Sequence, residues 1–89
     1  MLPQPRVMLI EDHPVVAEWL IPLIEAALNP RSLTHHACFT DAKAAICVEE
    51  FDIFLVDLGL PDGDGTDLIS LIKQTQPNAS CIVTTIFDD

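Results

Sequence analysis

The stretch that decides the fold is FDIFLVDLGLPDGDG, residues 51–65. Its first part, Asp52–Val56, is a nearly continuous apolar run, which is typical of a strand buried on both faces of a parallel sheet. The run stops at Asp57. The remainder is dense in Gly, Pro and Asp, which predicts a loop over 59–65. Asp57 is therefore expected at the end of the most buried strand, where an unpaired charge is costly.

Strands and helices alternate on both sides of this stretch. The other predicted strands are Arg6–Ile10, Leu33–Cys38 and Ser80–Thr85. The predicted helices begin at Pro14, at Thr40 or Asp41, and at Thr66 or Asp67. The order β-α-β-α-β-α-β predicts an α/β domain with a parallel sheet and right-handed crossovers. Trp19, on the apolar face of the first helix, is expected in the core, or partly exposed in an apolar patch where no further helix covers that face.

Composition indicates one small, acidic domain. Eighty-nine residues suit a single domain, and 49% hydrophobic residues argue against intrinsic disorder. Four Lys and Arg residues stand against 14 Asp and Glu residues, a net charge of −10. Direct nucleic-acid contact needs a basic face, and anionic membranes repel an acidic one, so both are excluded. The charge balance favours cation binding or a basic protein partner.

The termini and cysteines indicate a cytoplasmic protein. No apolar stretch approaches the ~20 residues of a membrane span. The N-terminus MLPQPRV lacks the pattern of a signal peptide. The cysteines form no CxxC pair, so neither a zinc site nor a disulfide framework is predicted. We expect them all to be small buried residues: Cys38, Cys47 and Cys81.

Carboxylates follow two of the predicted strands. Glu11 and Asp12 end the first strand and Asp57 ends the third, so the three converge if these strands are neighbours. Mg²⁺ prefers such oxygen ligands, and a carboxylate beside it can attack phosphorus to give an aspartyl phosphate. The hydroxyl of Thr84 or Thr85, at the end of the fourth strand, can donate to phosphoryl oxygens. The alternative is that each acid only forms a turn or caps a helix.

Three motifs together resemble the receiver domain of two-component response regulators. They are LIEDHP at 9–14, FDIFLVDLGLPDGDG at 51–65 and IVTTIFDD at 82–89, and the resemblance covers the whole chain. It implies a flavodoxin-like, three-layer α/β fold with the predicted strands in the order 2-1-3-4. It also implies a phosphoacceptor signalling domain and not a conventional enzyme. The chain looks like the subfamily whose receivers precede a helix-turn-helix output domain, which implies transcription regulation.

The resemblance implies a role for each residue of the site. Asp57 accepts the phosphoryl group from a sensor histidine kinase or a phosphotransfer protein. Asp12, Asp57 and the backbone carbonyl of Gly59 bind Mg²⁺, and Glu11 assists through water. Thr85 is the switch hydroxyl, because the acidic pair at 88–89 fits the family's spacing from it.

The sequence departs from the family pattern towards its end. The family carries an essential Lys and an aromatic switch residue on a fifth strand, and neither lies within residues 1–89. We therefore expect a receiver domain over 1–89 that is incomplete at its C-terminus. Lys43 and Lys73 lie in predicted helices and are poorly placed as substitutes. Without a fifth strand, Ser80–Thr85 is an open edge, which favours a homodimer through the fourth strand or by swapping.

Two positions bear on how long a phosphoryl group persists. In the family, the residues two positions after the acceptor and two positions after the switch hydroxyl help to orient the attacking water. Here these residues are Gly59, which has no side chain, and Phe87, which is apolar. We therefore expect a long-lived phosphorylated state.

Two other functions stay open on the sequence. Residues 62–66 match the DxDxT signature of dehalogenase-like, Mg²⁺-dependent phosphatases, although that motif needs its first Asp directly after an apolar strand. The other function is a protein-interaction module that is never phosphorylated. An EF-hand is excluded, because counting from Asp62 its Gly position is Asp67 and its final Glu position is Lys73.

Overall fold

The computed structural model describes residues 4–84 of the chain. The helices are α1 (Pro14–Leu28), α2 (Phe39–Val48) and α3 (Gly65–Thr75). The strands are β1 (Arg6–Ile10), β2 (Ser32–His36), β3 (Ile53–Val56), β4 (Gly59–Leu60), β5 (Gly63–Asp64) and β6 (Ser80–Val83). Thr85, Phe87 and the acidic pair at 88–89 lie outside the described residues, so the roles assigned to them stay predictions.

Four of the strands form one parallel sheet in the order β2-β1-β3-β6. This order confirms the predicted 2-1-3-4 arrangement, since β6 is the fourth strand of that sheet. The two strands with the most continuous apolar runs, β1 and β3, lie at its centre. Their register places Ile10 beside Val56, so both strands end at the same point of one sheet edge.

Side chains of the central strands alternate between two hydrophobic cores. On one face Val7, Leu9 and Leu55 pack with Ala17 and Ile24 of α1. On the other face the core joins β1 and β3 to α2 and α3, through Met8, Ile10, Phe54, Val56, Ala42, Ile46, Leu68 and Ile72. Successive residues of a strand face opposite ways, so a strand covered on both sides must be apolar throughout. The result is the predicted flavodoxin-like, three-layer α/β fold.

The segment between β3 and α3 is more ordered than a simple loop. It contains a short antiparallel hairpin of β4 and β5, with Gly59 opposite Asp64 and Leu60 opposite Gly63. Both flanking helices begin slightly earlier than predicted, α2 at Phe39 and α3 at Gly65. The reason is that side chains of this segment satisfy their free N–H groups. Asp64 accepts from Thr66 N, and Asp62 accepts from Phe39 N and Thr40 N.

Trp19 does not lie in the core but in an exposed apolar patch, the second of the two expectations for it. Its side chain is 64% exposed, and Val15 and Leu23 on the same side of α1 are also exposed. The helix turns its other side, with Ala17 and Ile24, towards the sheet. These three exposed residues, spaced four apart, form an apolar strip along α1.

The cysteines are less buried than predicted. Cys38 and Cys81 are half-buried and Cys47 is exposed on α2, because only Ala42 and Ile46 of that helix are buried. All three are free thiols. Within residues 4–84, no helix combines the length and the apolar character that crossing a membrane requires.

Candidate functional site

The candidate site lies where β1 and β3 end side by side. The backbone ladder continues one residue past each strand, since Asp57 N donates to Ile10 O at 2.9 Å and Glu11 N donates to His36 O at 3.1 Å. This pairing brings the predicted acids together. One ligand atom each from Glu11, Asp12, His13 and Asp57 lies within 4.8 Å of every other. The convergence inferred from the sequence is therefore present in the structure.

Two of these carboxyl groups are buried. Glu11 is 2% exposed and Asp57 is 6% exposed, and their side chains share a hydrogen bond. Burial, followed by that bond, raises the pKa of Glu11 from 4.5 to about 7. Burial alone would also raise the pKa of Asp57, but hydrogen bonds from Glu11 and from the Gly59 N–H outweigh it and lower that pKa. These opposite pKa shifts favour a protonated Glu11 beside an ionised Asp57, an arrangement in which the pair shares one proton.

His13 belongs to the same cluster, although the sequence alone does not single it out as a site residue. Its Nδ1 lies 3.4 Å from Glu11 Oε2 and 3.2 Å from Asp12 Oδ1. A hydrogen bond with Glu11, followed by the charge of Asp12, raises the pKa of His13. Its place in the EDHP run, one residue after two strand-end acids, is the signal that points to it.

The donor set fits a hard divalent cation. Three carboxylates converge, and the buried Oδ1 of Asp12 makes no hydrogen bond within residues 4–84, although the exposed His13 ring lies 3.2 Å from it. A buried carboxylate oxygen without a hydrogen bond, beside two further carboxylates, is stabilised by a cation such as Mg²⁺. Gly59, the fourth predicted ligand, lies beside Asp57, because its N–H donates to Asp57 Oδ1 at 3.1 Å.

The fourth strand of the sheet ends beside the same cluster. Thr84 N donates to Val56 O at 3.0 Å, which extends the pairing of β6 with β3 to the residue before Asp57. The Thr84 hydroxyl is buried and has no hydrogen-bond partner in the described part of the chain. Lys43 and Lys73 are exposed on α2 and α3.

The acidic residues of the DxDxT match accept hydrogen bonds at the starts of two helices, outside the acidic cluster. Asp62 accepts hydrogen bonds at the start of α2, and Asp64 accepts one from Thr66 N at the start of α3. These hydrogen bonds lower the pKa of both carboxyl groups. The acid that directly follows the buried apolar strand is Asp57. The geometry therefore gives no support to a dehalogenase-like phosphatase.

The raised pKa of Glu11 predicts a pH-dependent stability in the absence of divalent cations. Between pH 4.5 and about 7 the folded state holds a proton on Glu11 that the unfolded state releases, so the free energy of unfolding falls as pH rises. The raised pKa of His13 also makes the free energy of unfolding fall as pH rises. The lowered pKa of Asp57 changes that free energy only at lower pH. From Glu11 alone, we expect a loss on the order of 1–2 kcal/mol between about pH 5 and pH 8.

Urea unfolding with a chelator present measures this loss. Glu11→Gln keeps a hydrogen-bond donor towards Asp57 but cannot titrate, so its unfolding free energy should vary less with pH. A pH profile that is the same in wild type and Glu11→Gln contradicts the shared-proton arrangement.

Comparison with known proteins agrees with this site. A family model described as the response regulator receiver domain matches residues 7–89. The response regulator PilR of Pseudomonas aeruginosa is 31% identical over 83 residues, which cover 92% of this chain and 18% of PilR. The DNA-binding transcriptional activator DevR/DosR of Mycobacterium tuberculosis is 27% identical over 82 residues, which cover 92% of this chain and 38% of DevR/DosR. The chain thus spans well under half of either relative.

The fold has solved counterparts. The CheY-like receiver domain protein of Methanospirillum hungatei JF-1 superposes with a TM-score of 0.84 at 22% identity. The match covers 98% of this chain and 68% of that one, which supports the flavodoxin-like assignment of the fold. Because the family model spans nearly all of the sequence, this chain belongs to the response regulator receiver domain family.

Proposed function

We propose that Asp57 accepts a phosphoryl group from a sensor histidine kinase or a phosphotransfer protein. The observation that carries the proposal is the position of Asp57. It is buried at the end of a central strand and lies beside Glu11, Asp12 and the Gly59 N–H. A buried carboxylate with a lowered pKa is ionised at neutral pH and is a competent nucleophile.

The proposed reaction is a single phosphoryl transfer. An oxygen of the Asp57 carboxylate forms a bond to phosphorus as the bond from phosphorus to the donor breaks, and the donor leaves with that electron pair. The product is an aspartyl phosphate. Mg²⁺, when bound, neutralises charge on the phosphoryl oxygens. The ligands that we propose for it are Asp12, Asp57 and the backbone carbonyl of Gly59, with Glu11 assisting through water.

The remaining residues of the proposal concern the response to phosphorylation. We assign the switch hydroxyl to Thr85, which directly follows the last described residue, Thr84. The end of β6 adjoins the end of β3, and a hydroxyl that follows β6 could respond to charge gained at Asp57. We further propose that the protein acts in the cytoplasm and that it regulates transcription through a separate output, as the name of DevR/DosR suggests for that relative. We expect the acidic receiver itself to make no nucleic-acid contact, since such contact needs a basic face.

Incubation with acetyl phosphate tests the proposed function. Intact-mass spectrometry should show one phosphoryl group per chain in the presence of Mg²⁺ and none after chelation by EDTA. A receiver that serves only as an interaction module would stay unmodified under both conditions.

We also propose that the 89-residue chain self-associates through the edge of its sheet. Within residues 4–84, β6 pairs only with β3, and the side chains of Ile82 and Val83 are 46% and 50% exposed. An open strand edge with apolar side chains is a template for pairing with a second chain. Sedimentation velocity should show concentration-dependent dimers or larger species.

Two substitutions distinguish pairing through the strand edge from nonspecific hydrophobic association. Ile82→Lys puts a charge on the edge and should shift the chain towards monomer. Val48→Lys is the matched control, because Val48 is 79% exposed but lies at the end of α2. A compact wild-type monomer at all concentrations contradicts the proposal, and so does an equal effect of the two substitutions.

A further inference from the structure

Asp62 ties the hairpin of β4 and β5 to the start of α2. Its carboxylate accepts from Phe39 N at 2.7 Å, from Thr40 N at 3.1 Å and from the Thr40 hydroxyl at 2.8 Å. The residue that precedes α2, Cys38, provides no side-chain hydrogen bond of its own. Asp62, which lies 23 positions after Phe39, therefore supplies the acceptor that helices commonly take from their own N-cap residue.

The residue next to Asp62 strengthens this attachment. A Cβ atom built on Gly63 would lie 2.5 Å from the ring of Phe39, so hairpin and helix approach as closely as a glycine allows. Leu60, opposite Gly63 in the hairpin, is 8% exposed and packs in the core shared with α2 and α3. The hairpin is thus held by a carboxylate on one side and by an apolar anchor on the other.

The other end of the hairpin is part of the site. Gly59, the first residue of β4, donates its N–H to Asp57 Oδ1 at 3.1 Å. Gly65 packs directly on the backbone of Asp57, since a Cβ there would lie 2.5 Å from Asp57 O. A shift of the hairpin away from α2 would therefore move the backbone of Gly59 relative to the Asp57 carboxylate.

We propose that Asp62 is a positioning residue for the phosphoacceptor site, which acts by holding the hairpin so that the Gly59 backbone stays beside Asp57. The inference rests on the proposed function, because its importance depends on Gly59 and Asp57 sharing a cation. Asp62 itself contacts α2 and not the acidic cluster.

The expected effect is a loss of Mg²⁺ affinity in a folded protein. Isothermal titration of the full chain should show about tenfold weaker Mg²⁺ binding in Asp62→Ala. Asp62→Asn retains one acceptor oxygen out of two, so its affinity should lie between wild type and Asp62→Ala. If Asp62→Ala does not fold, a weakened Mg²⁺ affinity in Asp62→Asn still tests the positioning role.

Asp64→Ala is the matched control. Asp64 lies two residues away, carries the same charge and caps α3 through Thr66 N at 2.9 Å. It should lose stability by a similar amount through its lost cap, while Mg²⁺ affinity falls much less than in Asp62→Ala. Equal Mg²⁺ affinities in Asp62→Ala and Asp64→Ala would overturn the positioning role, because loss of charge or of a cap would then explain both.

A readout without metal separates this inference from the proposed function. Amide hydrogen exchange at Gly59, measured by NMR in the presence of EDTA, should be several-fold faster in Asp62→Ala than in wild type or Asp64→Ala. Unchanged exchange at Gly59 refutes the positioning role. If the wild type takes up neither Mg²⁺ nor a phosphoryl group, the proposed function fails. Amide exchange at Gly59 still shows in that case whether Asp62 holds the Gly59 backbone in place.

Discussion

Asp57→Ala should abolish labelling of the protein by acetyl phosphate, because it removes the only atoms that we propose to bond to phosphorus. Asp12→Ala should keep the nucleophile but lose a proposed cation ligand, so its labelling should be slower and should need more Mg²⁺. The measurement is the fraction of phosphorylated chain over time, read by intact-mass spectrometry at several Mg²⁺ concentrations.

Asp52→Asn provides the matched control. Asp52 precedes β3 just as Asp57 follows it, but it lies at the opposite end of the strand, where its carboxylate accepts from Arg6 N at 2.8 Å. Labelling of this variant should match wild type at equal folded fraction. Normal labelling of Asp57→Ala would remove Asp57 from the mechanism, whatever the other variants do.

The phosphorylated state should last for hours and not seconds in the absence of a phosphatase. Gly59 offers no side chain to hold an attacking water, and Phe87 is apolar. General acid–base assistance is typically worth ~10²–10⁴ in rate, and its partial loss slows hydrolysis accordingly. The decay of labelled protein after removal of acetyl phosphate, followed by intact-mass spectrometry, measures this lifetime.

Gly59 can test this explanation without steric conflict. A Cβ atom there would lie 3.9 Å from Asp57 Oδ1, an ordinary contact distance, and Gly59 needs no positive φ. Gly59→Asn should therefore accelerate decay by supplying a polar group, and Phe87→Glu should do the same. Gly59→Ala adds only the methyl group and should leave the lifetime nearly unchanged. Decay of the wild type within seconds contradicts the prediction.

The sheet and the main site were predictable because their signals are strong and local. The apolar runs of β1 and β3 mark strands buried on both faces, and acids that follow such strands must meet at one edge of a parallel sheet. Glu11, Asp12 and Asp57 meet there for this reason.

Other features depend on contacts that no local pattern reveals. The strands β4 and β5 are two residues long, too short to show a period. The start of α2 is set by Asp62, far along the chain. The exposure of Trp19 is a further example, because a helix pattern predicts an apolar face but does not show how much of that face the sheet covers.

His13 was missed for a related reason. A residue just past a strand end carries no periodic signal, and its importance comes from the turn that brings its ring towards Glu11 and Asp12.

The most direct test of the central assignment is to locate the phosphoryl group. After phosphorylation by acetyl phosphate, borohydride reduction converts an aspartyl phosphate to homoserine, and peptide mapping by mass spectrometry identifies the altered residue. We expect homoserine at Asp57 and at no other acid of the chain. Homoserine at Asp12, Asp62 or Asp64, with Asp57 unchanged, would contradict the assignment of Asp57 as the phosphoacceptor.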